Sequence, residues 1–267
     1  RALDDVQTQG GLRRDWEAAC LGETGLDCFD AWARELVQTG YLHNHARMWF
    51  ASIWIFTLRL PWELGAAFFM EHLLDGDPAS NTLSWRWVAG LHTKGKRYIA
   101  RASNIDRYTD GHFNPAGQLN EDPEETLPDA DHPQVVLSSV DVLTAYAFPS
   151  LSESPAGLLI CPDELTPELG PLKESPFASF CVLNSRDRMD VTNVAPTVRE
   201  FINGAVDDCA ERTAGHWSAK VVRHEKGIAR HKGQARSGHV GCMEDPRVHT
   251  GYVDKWVPSV VTWAENE

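Results

Sequence analysis

Residues 1–115 read as helical, and where apolar positions fall at intervals of three and four they mark a helix that buries one face. Phe29, Trp32, Leu36 and Val37 form such a stripe within the stretch Phe29 to Gln38, and Gly40 supplies a break. A second helix is predicted from Asn44 to Leu60, stopped by Pro61, which has no amide hydrogen to continue the ladder. A third runs from Glu63 to Leu74, with Phe68, Phe69, Leu73 and Leu74 towards a core. Asp75-Gly76-Asp77-Pro78 reads as a turn, and another helix begins in the stretch Asn81 to Leu91. The leading part of the chain is therefore read as mainly α-helical.

Between Asn114 and Pro133 the composition shifts to Asn, Asp, Glu and Pro, the mark of a linker or long surface loop. Beyond it, Gly157 to Cys161 and Phe177 to Leu183 are short apolar runs bounded by Pro, Gly or Asn, and read as buried strands. Thr197 to Arg212 reads as an amphipathic helix between strands. The expected organisation is a helical domain over 1–115, a connection over 116–133 and an α/β domain over 134–267. Repeats and a glycine-rich phosphate loop are missing: the glycines from Gly227 to Gly241 lack the fingerprint spacing.

Composition narrows the reading. The formal charge of −13 argues against a protein that coats nucleic acid over its whole surface. Arg86, Lys94, Lys96, Arg97, Arg101 and Arg107 nonetheless gather with few acids, so a local phosphate-binding footprint is expected there, with a solvated face as the alternative. The acids concentrate elsewhere, in Glu121 to Asp131 and Asp163 to Glu174. Six scattered cysteines, with no CxxC pair, support reduced thiols in a cytoplasmic protein and give no support to a metal site. The longest apolar run, Met48 to Leu60, is interrupted by Thr57 and Arg59 and is too short for a membrane span. The chain opens on Arg1 and stops at Glu267 just after an apolar segment, so a fragment is expected. Ten tryptophans form an excess that calls for a reason.

Candidate chemistry lies on two helices. Asn44, Arg47 and Met48 share one face, and Asp77, Asn81 and Trp85 share another. An Arg and amides among Trp, Phe and Ile are costly to bury unpaired, and Asp75 and Asp77 are the candidate partners. A buried Arg–Asp pair with amides and indoles would line a cavity for a flat heteroaromatic ligand. Read one residue at a time, the same side chains are helix caps and satisfied core groups.

Three segments, Thr39-Gly40-Tyr41-Leu42-His43-Asn44-His45-Ala46-Arg47-Met48, Leu74-Asp75-Gly76-Asp77-Pro78-Ala79-Ser80-Asn81 and Trp85-Arg86-Trp87, resemble the FAD-binding domain of the photolyase and cryptochrome family. Gly22-Glu23-Thr24-Gly25 ahead of Phe29-Asp30-Ala31 is similar to the same family's preceding loop. The resemblance covers residues 14–115 and implies a helical domain that holds FAD. It assigns Asn44, Arg47, Asp75, Gly76, Asp77 and Asn81 to the flavin pocket, with Arg47 paired to Asp75 and Asn81 facing flavin N5. Trp62 and Trp85 match two of the family's electron-relay tryptophans, while the third, surface tryptophan has no counterpart near Val6. Asn44, His45, Met48 and Trp87 match positions that meet a flipped-out lesion in DNA. The (6-4) repair enzymes would carry His at the positions of Asn44 and Met48, so cyclobutane pyrimidine dimers are the expected substrate. The implied activity is light-driven DNA repair. The alternative is a cryptochrome-type blue-light receptor, in which an acid or a cysteine tends to replace the amide at the position of Asn81. The family's Thr-Ser-x-Leu-Ser phosphate segment and its antenna domain would precede residue 1. An antenna chromophore and a protein partner for residues 134–267 are left open. No membrane association is expected.

Overall fold

A computed structural model describes residues 2–92, 96–123, 156–160, 164–174, 177–183 and 194–224. They fall into two compact units, residues 1–136 with 194–198 and residues 137–193 with 199–267. The first is helical: α1 (Ala2–Thr8), α2 (Gly10–Leu21), α3 (Asp27–Thr39), α4 (Asn44–Ser52), α5 (Trp62–His72), α6 (Pro78–Val88) and α7 (Ala102–Tyr108).

Each boundary has a local cause. Gly22 and Gly40 end α2 and α3 in the left-handed conformation, with φ of 67° and 71°. A side chain at Gly40 would also run into Leu74, which is seated against it. The helix predicted from Asn44 to Leu60 is shorter and less regular. Its last turn, Ile53–Thr57, widens into a π-helix, and Leu58 donates to the Ile53 carbonyl five residues back. Arg59 then takes a φ of 57°, and Pro61 caps α5 instead of closing the preceding helix. At α6, Asp77 is the N-cap: its carboxylate accepts from the Ser80 amide at 2.6 Å, and Pro78 occupies the first turn, where its missing amide hydrogen costs nothing.

The core is aromatic. Phe29, Phe50 and Trp54 are fully buried, and Phe50 stacks on Phe29 at 4.2 Å and on Phe68 at 6.1 Å. Within α3 the buried stripe is Phe29, Trp32, Ala33 and Leu36; Val37, predicted to join it, is 40 % exposed. It sits one residue beyond Leu36, too far round the helix to share the same face. Burial raises the Cys20 thiol to about 12 and the Cys28 thiol to about 11, so both stay protonated and pack as small apolar groups.

The stretch that opens the predicted linker folds back onto this unit as far as Pro123. Asn120 anchors it: its backbone amide donates to Thr57 Oγ1 and its Nδ2 to the Phe56 carbonyl. Glu121 accepts from the Ala102 amide and meets Arg101, while Arg97 donates to the Pro123 carbonyl. The expected basic patch is thereby partly consumed inside the protein, because Arg97 and Arg101 serve the chain's own acceptors. Arg86 lies over Trp62 and Arg107 over Tyr108; Lys94 lies outside the described residues. Residues 124–133 also lie outside them.

Among its described residues the second unit holds three parallel strands in sequential order, β1 (Ala156–Ile160), β2 (Phe177–Leu183) and β3 (Lys220–His224). Leu158 pairs with Phe180, and Cys181 with Val222. Parallel neighbours need a crossover, and α8 (Pro196–Trp217) supplies the one between β2 and β3. Val206, Cys209, Ala210 and Thr213 are its buried face. The helix outruns its predicted end at Arg212 by a turn, which brings Trp217 onto Phe177 and Phe180 at 5.8 and 5.0 Å.

Candidate functional site

Helix α6 packs against both α4 and α5, and a cavity of about 230 Å³ lies among them. From α4 come Asn44, Arg47, Met48 and Ala51, the i, i+3, i+4 and i+7 positions of one helical face. From α6 come Ser80, Asn81, Ser84, Trp85 and Val88, one face again. Phe69 of α5 and Leu73, which follows that helix, add an apolar wall, and the turn Asp75-Gly76-Asp77 together with Trp87 completes the lining. The two sequence constellations therefore do converge on one hollow. Six expected cofactor residues (Asn44, Arg47, Asp75, Gly76, Asp77 and Asn81) all line it. Sequence reasoning missed Ala51, Ser84 and Val88, although extending the same helical spacing by one turn would have reached them.

Arg47 is fixed from two sides. Its Nε donates to the Leu42 carbonyl at 2.8 Å, and its Nη2 reaches both Asp75 carboxylate oxygens at 3.1 and 3.0 Å. The pair was expected to be buried, and it is not: the side chains are 24 % and 62 % exposed. Asp75 sits on the turn between helices, where its carboxylate keeps its water, so the pair orients Arg47 at the rim and adds little stability, about 0–1 kcal/mol. Asn81 is the buried polar group of the site. Its Nδ2 donates to the Ala66 carbonyl at 2.8 Å, which fixes the plane of an amide that lines the hollow.

Trp85 is buried to 2 % exposure and meets Phe69 and Trp54 edge-on, with centroids 5.1 and 6.2 Å away. Trp87 lies at the mouth, 39 % exposed, and stacks on Tyr98 at 5.6 Å and 27°. Tyr98 is in turn held by the Trp49 indole, so Trp87 rests on a fixed aromatic support. Two expected site residues stand outside the lining. Trp62, half-buried, opens α5 beneath the Arg86 guanidinium, 5.9 Å from its ring centroid. His45 is exposed and packs between Trp49 and Tyr108 at 5.8 and 5.7 Å.

A small cavity walled by apolar and aromatic side chains, with one oriented guanidinium and one oriented amide, suits an aromatic ring system edged with hydrogen-bonding groups. Residues 2–124 match the family described as the FAD binding domain of DNA photolyase. This segment is similar to a photolyase-type FAD-binding domain. The curated relatives agree. A deoxyribodipyrimidine photo-lyase from Streptomyces griseus is 41 % identical over 96 residues, covering 32 % of this chain and 21 % of that protein. One from Vibrio cholerae is 38 % identical over 96 residues, 33 % of this chain and 20 % of the relative. The mitochondrial deoxyribodipyrimidine photo-lyase of Saccharomyces cerevisiae is 37 % identical over 91 residues, 34 % and 16 % respectively. The chain thus spans about a fifth of the length of the relatives it matches first. The cofactor of the photolyase-type domain is FAD, and the lining fits its ring: Asn81 offers an amide, Arg47 a donor, and Phe69, Leu73 and Trp85 apolar walls.

Proposed function

We propose that this protein repairs cyclobutane pyrimidine dimers in DNA, using light and reduced FAD. The observation that carries the reading is the convergence of Asn81, Met48 and Trp87 on one hollow, an amide for the ring and a thioether and indole for a base. The cofactor supplies the electron that splits the dimer. The protein's own residues position and discriminate. Arg47 and Asn44 hold the ring edge, Asp75 orients Arg47, and Asp77 sets the entry of α6 while facing the ribose side. Asn81 meets N5 and decides which protonation and redox state is stable. At the mouth Trp87 packs against the extruded dimer, and Met48, Asn44 and His45 complete that contact. Extrusion costs least for a lesion that is already poorly paired, and the Trp87 face offsets part of that cost. Trp62 and Trp85 relay electrons that restore the reduced flavin.

The test is direct. The chain is loaded with FAD, reduced, mixed with UV-irradiated oligonucleotide and exposed to blue light, and the remaining dimers are counted. Light-dependent loss of dimers is expected. Bound flavin with no loss would favour the second reading, a cryptochrome-type receptor, to which the net charge of −13 and the second, α/β unit lend support. In that case the α/β unit would face a protein partner. Under either reading the protein is assigned to the cytoplasm, and an antenna chromophore of unknown kind would extend its absorption.

A substitution probes the ring contact by itself. Asn81→Asp replaces an amide by a carboxylate in a buried site and opposes it to the Ala66 carbonyl. Negative charge beside the ring disfavours an anionic reduced flavin. The absorption spectrum of the bound flavin is expected to shift towards the oxidised or protonated form. An unchanged spectrum would mean that Asn81 does not meet the ring.

A further inference from the structure

We infer that Trp54 is an additional electron-relay residue, lying between Trp85 and Trp62. The inference rests on the proposed function and goes beyond it by assigning a residue that neither lines the cavity nor matches the expected relay. Trp85 walls the cavity. Trp54 touches it edge-on, with ring centroids 6.2 Å apart and planes at 84°. Trp54 is fully buried, and its indole N–H donates to the Pro61 carbonyl at 2.9 Å. Pro61 is bonded to Trp62, so a hydrogen bond and one short covalent path join the two indoles.

Electrostatics set the direction. An indole that has lost an electron is a cation, and the negative end of the Pro61 carbonyl dipole at its N–H stabilises that charge in a dry, low-dielectric surrounding. An amide carbonyl is too weak a base to remove the proton, so the Trp54 cation persists as a cation and passes its charge on. At Trp62 the Arg86 guanidinium, 5.9 Å from the ring centroid, opposes a second positive charge. Trp62 is half-buried and sees water, so loss of its indole proton relieves that repulsion and traps the radical.

The electron count closes. Trp85 gives one electron to the light-excited cofactor and regains it from Trp54, and Trp54 regains it from Trp62. Trp62 releases its indole proton to water, and a dissolved thiol returns the hydrogen atom. The Trp62 N–H bond broken by proton loss is re-formed by that hydrogen atom, so the protein is unchanged on balance and the thiol, oxidised to a thiyl radical, is the net reductant.

The experiment loads the full chain with FAD and follows flavin reduction under blue light with dithiothreitol as donor, together with transient absorption of the tryptophan radicals. Trp54→Phe is expected to retain FAD and to reduce it about tenfold or more slowly, equivalent to at least ~1.4 kcal/mol on the limiting step. Trp62→Phe is expected to leave a protonated, short-lived radical. Because the residues act in series, the double variant should be no slower than Trp54→Phe alone. Should Phe unsettle the core, Trp54→Leu, equally unable to give up an electron, is read the same way. Reduction at the parent rate in a folded, FAD-loaded Trp54 variant overturns the assignment and leaves the function standing. Failure of the unsubstituted chain to retain FAD overturns both.

Discussion

Replacing Asp30 by alanine is expected to destabilise the helical unit by about 3 kcal/mol or more, a large part of the ~5–15 kcal/mol that holds an ordinary domain together. Asp30 is 7 % exposed and accepts three hydrogen bonds from the loop between α2 and α3. The Thr24 amide and hydroxyl reach one carboxylate oxygen at 2.9 and 2.6 Å, and the Gly25 amide reaches the other at 2.9 Å. The acid also lies in the first turn of α3, where the helix dipole favours negative charge. Alanine removes the acceptor and leaves three donors behind, each costing more unpaired than its bond contributed when made. Asp30→Asn retains one oxygen and should lose roughly half as much. Urea unfolding followed by far-ultraviolet circular dichroism checks this, as a fall in midpoint at unchanged slope. A midpoint for Asp30→Ala within about 0.5 kcal/mol of the parent would show that water satisfies the loop instead.

Asp30 also marks where a one-dimensional pattern stops being informative. Its segment was legible as part of a family loop, but its work inside that loop was not, because three donors converging on one carboxylate is a tertiary fact. Helices α3 and α5 were legible through apolar spacing, which burial of one face enforces, whereas α1 and α2 were not told apart and α6 begins three residues before its expected start at Asn81. The π-turn at Ile53–Thr57 was not, since Trp54, Ile55 and Phe56 are apolar on every face and carry no period to misread. Asn44, Arg47 and Asn81 were legible as a site because polar groups within apolar helices need a reason. Exposure of the Arg47–Asp75 pair was not, because sequence says which charges can meet and not how much water they keep. In the second unit β1 and β2 announced themselves as apolar runs between breakers. Lys220–His224 did not: only Val221 and Val222 of its five residues are apolar, and pairing with β2 makes it a strand.

The second large effect is expected at Gly65, and it couples the fold to the cavity. Gly65 is buried within α5. In an ordinary helix interior, glycine to alanine would add about 1 kcal/mol of stability. Here a Cβ would fall 2.5 Å from Trp85 Cζ3 and inside the envelope of Cη2, so the indole must move. It has no room, since Trp54 and Phe69 press on it edge-on and its remaining side is the cavity it lines. Overpacking of this kind costs about 1–3 kcal/mol, enough to reverse the helix-propensity gain, and Gly65→Val should exceed Gly65→Ala. The route of least resistance carries Trp85 into the space meant for the ring. Gly65→Val is therefore expected to lose FAD, as yellow colour absent after purification, even where circular dichroism still reports helices. Gly65→Ala should retain FAD more weakly, by about tenfold per 1.4 kcal/mol of indole displacement. Full FAD retention by a folded Gly65→Val protein would mean that α5 and α6 can separate, and that Trp85 is not clamped between them as the packing indicates.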